Sequence, residues 1–307
     1  MRNQLMNPGK PDSLISPEWL RYLERLSFLS RKRSRSSQRG ERRSRARGHS
    51  VEFADHRNYV VGDDLRYLDW NLLGRLDRLF LKIYEEEREL PLHLFVDLSE
   101  SMNFGTPSKF DVARQIAAAM GYVALNGFDR VQLNLFPNSA AQGAQGLPPR
   151  HLRGKGSSMR LLDHLSALRP GGQGSLNQAL QEAARGNRRQ GTVMVISDFM
   201  DPDGYESGLK AWCSQGMDVH AFMVLASEEL NPTLHGDLRL VDCENGSHEE
   251  VTFGRHQLKA YQATLQGYLD QIQNFCRRHA IGFHLVPSHI NLESWLLADL
   301  RKAMLWK

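Results

Sequence analysis

Two short segments of the sequence place an aspartate directly after an apolar run. In FVDLSESM the aspartate is Asp97, with Ser99 and Ser101 at alternate positions after it, and in VMVISDF the aspartate is Asp198. One carboxylate and two hydroxyls from a single loop are oxygen ligands of the kind that Mg²⁺ prefers, and Mg²⁺ commonly keeps several waters in its octahedral shell. The spacing therefore predicts a Mg²⁺ site, with Mn²⁺ and Ca²⁺ as alternative ions.

The surrounding pattern predicts a fold that would bring these aspartates together. Apolar stretches such as LHLFVDLS, RVQLNLF, GTVMVISDF, DVHAFMVLA and IGFHLVP alternate with helical stretches such as KFDVARQIAAAMGYVALNG. This alternation is typical of an α/β fold with a mostly parallel sheet and helices on both faces. Ligands bind beyond the carboxyl ends of the strands in such sheets, so Asp97 and Asp198 are expected to converge. The glycine-rich RPGGQGSLNQAL adds Ser175 as a further hydroxyl candidate.

The positive charge of the chain is concentrated in one segment. Residues 31–47 carry nine Lys or Arg against the single Glu41, a local charge of +8 in a chain of net charge +4, so the remainder carries −4. Such a run can bind the phosphates of nucleic acid or an anionic membrane in a salt-dependent way. It lacks interleaved aromatic residues, and an arm that lies against the acidic body or an acidic partner is the favoured interpretation.

Several classes of protein do not fit the sequence. No apolar run approaches the roughly 20 residues that cross a bilayer, and the polar N-terminus does not resemble a secretory signal, so a cytoplasmic protein without a membrane span is expected. The cysteines at 213, 243 and 276 form no C-x-x-C pair, and no histidine pair has metal-ligand spacing. A zinc clip or disulfide framework is therefore not predicted.

An enzyme is also not the favoured interpretation. A phosphatase that uses a strand-end aspartate as nucleophile wants a second carboxylate two residues later for acid and base catalysis, and that position is Ser99. Neither a Walker-type phosphate loop nor a Ser-His-Asp order is visible. A metal-dependent hydrolase stays open as an alternative.

Three regions are predicted along the chain. Residues 1–47 contain a helix in SPEWLRYLERLSFL, with Ser16 as N-cap and Pro17 in its first turn, followed by the basic arm. Residues 48–90 contain a helix over DDLRYLDWNLLGRL and a strand over RLFLKIY. Residues 91–307 form the α/β domain, which ends in a hairpin turning at Asn245-Gly246, a long helix, a strand and a last helix.

The motifs DLSESM, GGQGSLNQAL and VISDF, in that order, resemble the von Willebrand factor A domain and its metal ion-dependent adhesion site. The resemblance implies a Rossmann-like sheet. It also implies that Asp97, Ser99 and Ser101 are the first motif and Asp198 the last, with direct or water-mediated bonds to Mg²⁺. The middle motif departs from that family, because Gly174 stands where a threonine is usual, with Ser175 beside it.

The segment GHSVEFADHRNYVVGDDLRYLDWNLLGRLDRLFLKIYEEE narrows the resemblance to the domain of unknown function 58 family. The resemblance covers roughly residues 40 to 300. It implies a cytoplasmic von Willebrand-like module that acts with a MoxR-type AAA ATPase in chaperone-like assembly or metal insertion. The matching residues are Glu52, Phe53, Arg57, Tyr59, Gly62, Asp63, Asp64, Arg66, Asp69, Trp70, Arg75 and Glu87.

Two interpretations of this signature stay open, a partner-binding surface or a structural tie in which Arg66 and Asp69 pair on one helix. The residues concerned are Arg57, Tyr59, Asp63, Asp64, Arg66, Asp69 and Trp70. The expected function is non-enzymatic, metal-dependent binding of the ATPase or its client protein. The alternatives are binding of nucleic acid or an anionic surface through the basic arm, which is less favoured, and metal-dependent hydrolysis.

Overall fold

A computed structural model describes most of the chain, and the described part divides into two compact units. Residues 51–86 form one unit, and residues 14–26 together with 91–302 form the other. The described residues are 14–26, 51–86, 91–127, 129–137, 151–172, 174–187, 190–232, 236–241 and 248–302. The basic arm over 31–47, the turn at Asn245-Gly246 and Cys243 lie outside them.

The first helix, α1 (Pro17–Leu23), begins as the sequence predicts. The hydroxyl of Ser16 accepts a hydrogen bond from the backbone N–H of Trp19 at 3.2 Å, which satisfies one of the donors that a helix start leaves without partners. Trp19 and Leu23 are buried in the core of the larger unit. The apolar face of α1 is therefore part of that core.

The smaller unit is an antiparallel pair, β1 (Val51–Asn58) and β2 (Phe80–Glu86), joined by two short helical segments. A 3₁₀ turn spans Leu65–Tyr67, and α2 spans Trp70–Leu76. The prediction of one continuous helix here is wrong. Leu68 lies between the two segments, is buried and has an extended backbone that forms a bridge with Leu81, so the helix is interrupted at this residue.

The larger unit is built on a six-stranded sheet, and the predicted α/β class is confirmed. The strands described in this unit are β3 (Pro91–Asp97), β4 (Arg130–Phe136), β5 (Leu152–Arg153), β6 (Thr192–Ser197), β7 (Asp218–Leu225), β8 (Gly236–Val241), β9 (His248–Phe253) and β10 (Gly282–Pro287). The order in the six-stranded sheet is β10-β7-β6-β3-β4-β5, and each neighbouring pair is parallel except β4 with the short edge strand β5. A separate antiparallel pair, β8 with β9, is the predicted hairpin.

Helices cover both faces of this sheet, and each face has its own apolar core. Successive side chains of a strand point to opposite faces, so Leu94 and Val96 enter one core while Phe95 enters the other. The further helices described in this unit are α3 (Lys109–Asn126), α4 (Ser158–Ala167), α5 (Leu176–Gly186), α6 (Glu206–Ser214), a single turn α7 (Ser227–Leu230), α8 (Arg255–Arg278) and α9 (Leu292–Lys302). The first core is completed by α1, α3, α4 and α9, and the second by α5, α6 and α8.

The strand order places the ends of β3 and β6 side by side at a change of direction in the sheet. The chain passes from β3 outward to β4 and β5, and then returns to β6 on the other side of β3. Loops diverge at such a switch point and leave a crevice in which α/β proteins bind ligands. In the described part of the chain, no helix has the length and apolar character needed to cross a membrane.

Candidate functional site

The loop after β3 gathers three oxygen atoms. Asp97 ends the strand and is buried. Its Oδ1 accepts hydrogen bonds from the backbone N–H of Ser99 at 2.9 Å and from the Ser99 hydroxyl at 2.6 Å. The Ser99 hydroxyl lies 3.0 Å from that of Ser101, which the 3₁₀ turn Glu100–Asn103 holds in place. The structure thus brings the first motif together.

The donor set of this loop fits a small hard cation. Mg²⁺ binds oxygen at 2.0–2.1 Å, so neighbouring ligands of an octahedral shell lie about 3 Å apart. The spacings of Asp97, Ser99 and Ser101 are close to that value. Among the residues that the structure describes, no three His, Cys, Asp or Glu side chains form a metal-binding group. The candidate site therefore depends on one carboxylate with hydroxyls and water rather than on a cage of carboxylates.

Ser197, the last residue of β6, connects the two strand ends. Its hydroxyl donates to Asp97 Oδ2 at 2.5 Å and accepts from the backbone N–H of Phe199 at 2.9 Å. Sequence reasoning missed this residue because only Asp198 was considered at that strand end. Its position as the only polar residue before the aspartate in VMVISDF was the available signal. Ser197 orients the Asp97 carboxylate from the neighbouring strand.

Asp198 is buried and bound to a lysine. Its Oδ1 accepts from the backbone N–H of Met200 at 3.1 Å, and its Oδ2 accepts from Lys109 Nζ at 2.8 Å. The same ammonium contacts Glu229 Oε1 at 2.6 Å, and Lys109 is 1% exposed. Sequence reasoning missed Lys109 and Glu229. The signal for Lys109 was a basic residue in the first turn of an apolar helix, where acidic residues are favoured.

Burial and neighbouring charges set the electrostatics of the site. Burial, reinforced by the charge of Asp198, raises the pKa of Asp97 to about 7, although the hydrogen bonds from Ser197 and Ser99 oppose the shift. Burial lowers the pKa of Lys109, but Asp198 and Glu229 outweigh burial and raise it overall. Lys109 therefore stays a cation at neutral pH, whereas Asp97 without a bound cation keeps its proton to a higher pH than an ordinary aspartate.

The glycine-rich loop does not supply a threonine-like ligand at Gly174. A Cβ atom at this position would lie 2.8 Å from Cβ of Pro137, closer than real contacts allow, and 3.3 Å from its Cα, which is tighter than most real contacts. The residue is therefore glycine because Pro137 fills the space. Ser175 caps α5, and its hydroxyl accepts from the backbone N–H of Gln178 at 3.3 Å. The Ser175 hydroxyl is thus engaged in holding the start of a helix.

The charged signature residues of the smaller unit are bound to one another. Arg57 donates two hydrogen bonds to Asp63, at 2.8 and 2.7 Å. Arg66 binds Asp64, which also caps the 3₁₀ turn. Tyr59 is half-buried. These contacts give the arginines and aspartates a structural role within the unit.

Asp69 fixes the start of α2. Its Oδ1 accepts from the backbone N–H groups of Asn71 and Leu72, and its Oδ2 lies 2.9 Å from His56 Nε2. The hydrogen bond with His56 is the largest of the effects that lower the pKa of Asp69 to about 2. The predicted Arg66–Asp69 pair is wrong, because the extended backbone at Leu68 separates the two residues and Arg66 binds Asp64 instead.

The same unit exposes large apolar side chains. Trp70 is 67% exposed and Val61 is 93% exposed. Val60, Leu65 and Tyr67 are each more than half exposed as well. Aromatic and aliphatic residues at this level of exposure are the kind that protein partners bury.

Comparison with known proteins assigns the chain to a family. The model of the family described as "Protein of unknown function DUF58" matches residues 55–267, more than half of the chain. The chain belongs to the DUF58 family. The match includes Asp97, Ser99, Ser101 and Asp198, so the candidate metal site of this DUF58 chain lies in the matched region.

Relatives of the DUF58 chain occur in mycobacteria. An uncharacterized protein of Mycobacterium bovis is 31% identical over 208 residues, which is 67% of this chain and 64% of the relative. Two uncharacterized proteins of Mycobacterium tuberculosis give the same figures. The DUF58 chain thus spans 64% of the length of these relatives. A crystal structure of the conserved hypothetical protein BatB from Bacteroides thetaiotaomicron matches 70% of this chain and 98% of its own, with 13% identity and a TM-score of 0.41.

The packing of Gly174 leads to a prediction for the DUF58 site. Replacement of Gly174 by threonine is expected to destabilise the protein by about 1–3 kcal/mol, because the added atoms overlap Pro137. Urea denaturation measures this change. Gly156→Thr is the matched control, since a Cβ there meets nothing within 4 Å. Unchanged stability together with tighter Mn²⁺ binding in Gly174→Thr would show that the position accepts a ligating threonine.

Proposed function

We propose that this DUF58 chain is a non-enzymatic, metal-dependent protein-binding module of von Willebrand factor A type that works with a MoxR-type AAA ATPase on client proteins. The observation that carries the metal part is the cluster formed by Asp97 Oδ1 with the hydroxyls of Ser99 and Ser101, with neighbouring spacings of 2.6 and 3.0 Å. This cluster lies at the switch point of the sheet.

Each residue of the site has a separate task. Asp97 supplies the anionic ligand, and Ser99 and Ser101 supply neutral hydroxyls. The Ser197 hydroxyl donates to Asp97 Oδ2 and fixes the orientation of the carboxylate. A divalent cation held by so few protein oxygens retains exchangeable positions, one of which a carboxylate of a client protein can occupy.

Catalysis is not part of the proposal. The strand-end aspartate lacks a second carboxylate at position 99 that could act as acid and base. Asp198 and Glu229 are both held by Lys109, so neither is placed as a free base beside Asp97. The residues of the site can hold and orient a carboxylate, which is a binding task.

Metal binding can be tested directly with the purified chain. Titration with Mg²⁺ or Mn²⁺ is expected to show one divalent site in the wild type, and Asp97→Ala is expected to lose at least about tenfold in affinity because the anionic ligand is removed. Asp163→Ala, at an exposed position of α4, is the control. Calorimetry follows both titrations.

Two results would contradict the metal part. One is a wild type that binds no divalent cation, and the other is an Asp97→Ala variant that binds as well as the wild type. Steady turnover of phosphoesters in Mg²⁺, abolished in Asp97→Ala, would instead support the hydrolase alternative.

We propose that the ATPase binds the smaller unit. Arg57 binds Asp63 and Arg66 binds Asp64, while Trp70, Val61 and their apolar neighbours remain exposed. The family resemblance supplies the identity of the partner, and the exposed aromatic and aliphatic side chains supply a surface that such a partner can bury.

Replacement of Trp70 by a charged residue is expected to weaken binding of the ATPase. Trp70→Asp should lower the affinity for a purified MoxR-type ATPase by tenfold or more, since aromatic residues often dominate interfaces. Met159→Asp is the control, because Met159 is also a large, 58% exposed apolar residue but lies in the other unit. Biolayer interferometry with both variants measures the difference, and equal affinities would remove the ATPase from this surface.

A further inference from the structure

Lys109 occupies a position that is unfavourable for a cation on two grounds. Its side chain is 1% exposed, and burial of an ammonium costs several kcal/mol unless opposite charges compensate. It is also the first residue of α3, where the helix dipole disfavours positive charge. Neighbouring carboxylates must therefore hold this ammonium in place.

The carboxylates of Asp198 and Glu229 hold the ammonium, and each also accepts a hydrogen bond from a backbone N–H group. Lys109 Nζ lies 2.8 Å from Asp198 Oδ2 and 2.6 Å from Glu229 Oε1. The other oxygen of Glu229 accepts from the backbone N–H of Ala226 at 2.7 Å. The backbone carbonyl of Glu229 accepts from the hydroxyl of Tyr261 in α8 at 2.9 Å. The ion pairs are thus part of a rigid arrangement rather than a chance contact at the surface.

We infer that Lys109 is a positioning residue that acts as a built-in cation of the site, holding Asp198 away from direct metal coordination and limiting the affinity of the Asp97 loop for divalent cations. This inference rests on the proposed function and deepens it. The Lys109 ammonium sits on Asp198 Oδ2 and would repel a divalent cation there, whereas the charge of Asp198 still acts at Asp97.

The net charge of the cluster predicts that two variants change the affinity for a divalent cation in opposite directions. When ionised, Asp97, Asp198 and Glu229 supply three negative charges and Lys109 supplies one positive charge, leaving −2, the value that one divalent cation neutralises. Loss of the lysine charge leaves −3 and should strengthen cation binding. Loss of the Glu229 charge leaves −1 and should weaken it.

The test uses the full chain and Mn²⁺, with free Mn²⁺ counted by electron paramagnetic resonance. Lys109→Met is expected to bind Mn²⁺ roughly tenfold more tightly than the wild type, and Glu229→Gln roughly tenfold more weakly. A role limited to structural support predicts weaker binding in both variants. Opposite directions are therefore the signature of the inferred role.

The outcomes separate this inference from the proposed function. Wild-type binding with equal or weaker binding in Lys109→Met overturns the inference and leaves the proposed metal site intact. A wild type without binding but a Lys109→Met variant that binds Mn²⁺ overturns the proposed function and supports the inference. Absence of binding in both overturns both. If Lys109→Met does not fold, Lys109→Gln takes its place, because it also removes the charge but can still hydrogen-bond to Asp198 and Glu229, and the same tighter binding is expected of it.

Discussion

Without a divalent cation, replacement of Asp97 by asparagine is expected to stabilise the folded protein at pH 8 by about 2–4 kcal/mol. The pKa of this buried carboxyl is raised from 3.8 to about 7, so folding must force an ionised group into an unfavourable place at pH 8. Asparagine has the same shape, can accept from Ser99 and can donate to Ser197, and it carries no charge. Urea denaturation in EDTA measures the gain.

The sign of the pH dependence follows from the raised pKa. Between about pH 4 and pH 7 the folded state binds more protons at Asp97 than the unfolded state, so the stability of the wild type falls as pH rises through this window. The advantage of Asp97→Asn should shrink toward pH 4 and level off above pH 7. Asp163→Asn is the exposed control. A variant that is less stable than the wild type at pH 8, or equally shifted at every pH, contradicts the argument.

Replacement of Asp198 by asparagine is expected to have the opposite effect, a loss of about 3 kcal/mol. The variant leaves the Lys109 ammonium almost fully buried with only Glu229 opposite it. Removal of one partner of a buried ion pair is costly because the remaining charge keeps its desolvation penalty. The same denaturation experiment, in EDTA at pH 8, compares the two aspartate variants.

A double variant separates the ion pair from other effects at Asp198. Lys109→Met combined with Asp198→Asn should recover part of the lost stability, because the buried charge that caused the loss is gone. Purely additive losses, or an Asp198→Asn variant as stable as Asp97→Asn, would show that the contact with Lys109 contributes little. Equal behaviour of the two aspartates is what two equivalent metal ligands would give.

The sequence was sufficient for the sheet and for the first half of the site. Apolar runs that end in Asp97 and Asp198 predict strands whose carboxyl ends carry the aspartates, and Ser99 and Ser101 follow from local spacing alone. Local patterns of this kind predict what lies within a few residues. They predict less well where contacts with a distant segment override the local pattern, as at Leu68, which is buried and forms a backbone bridge with Leu81 of β2 in the middle of an otherwise helical pattern.

The rest of the site depends on contacts between distant segments. Lys109 meets Asp198 across 89 residues and Glu229 across 120 residues, and no local pattern joins these positions. The Ser197 hydroxyl at the end of β6 donates to Asp97 at the end of the neighbouring strand β3. Gly174 is explained only by Pro137, a neighbour from another strand end. Each of these features depends on how distant strands and helices pack together, which local sequence patterns do not reveal.

Helix α8 donates hydrogen bonds to both of the loops that hold the carboxylates bound to Lys109. Its Tyr268 hydroxyl donates to the carbonyl of Phe199, next to Asp198, and its Tyr261 hydroxyl donates to the carbonyl of Glu229. Phe199 adopts a positive φ of 58°, a conformation that a bulky residue keeps only when its surroundings enforce it. The two carboxylates that bind Lys109 therefore share the local stability of α8. We expect a fluctuation that loosens this helix to release both loops together, so that their amides exchange hydrogen as a single unit.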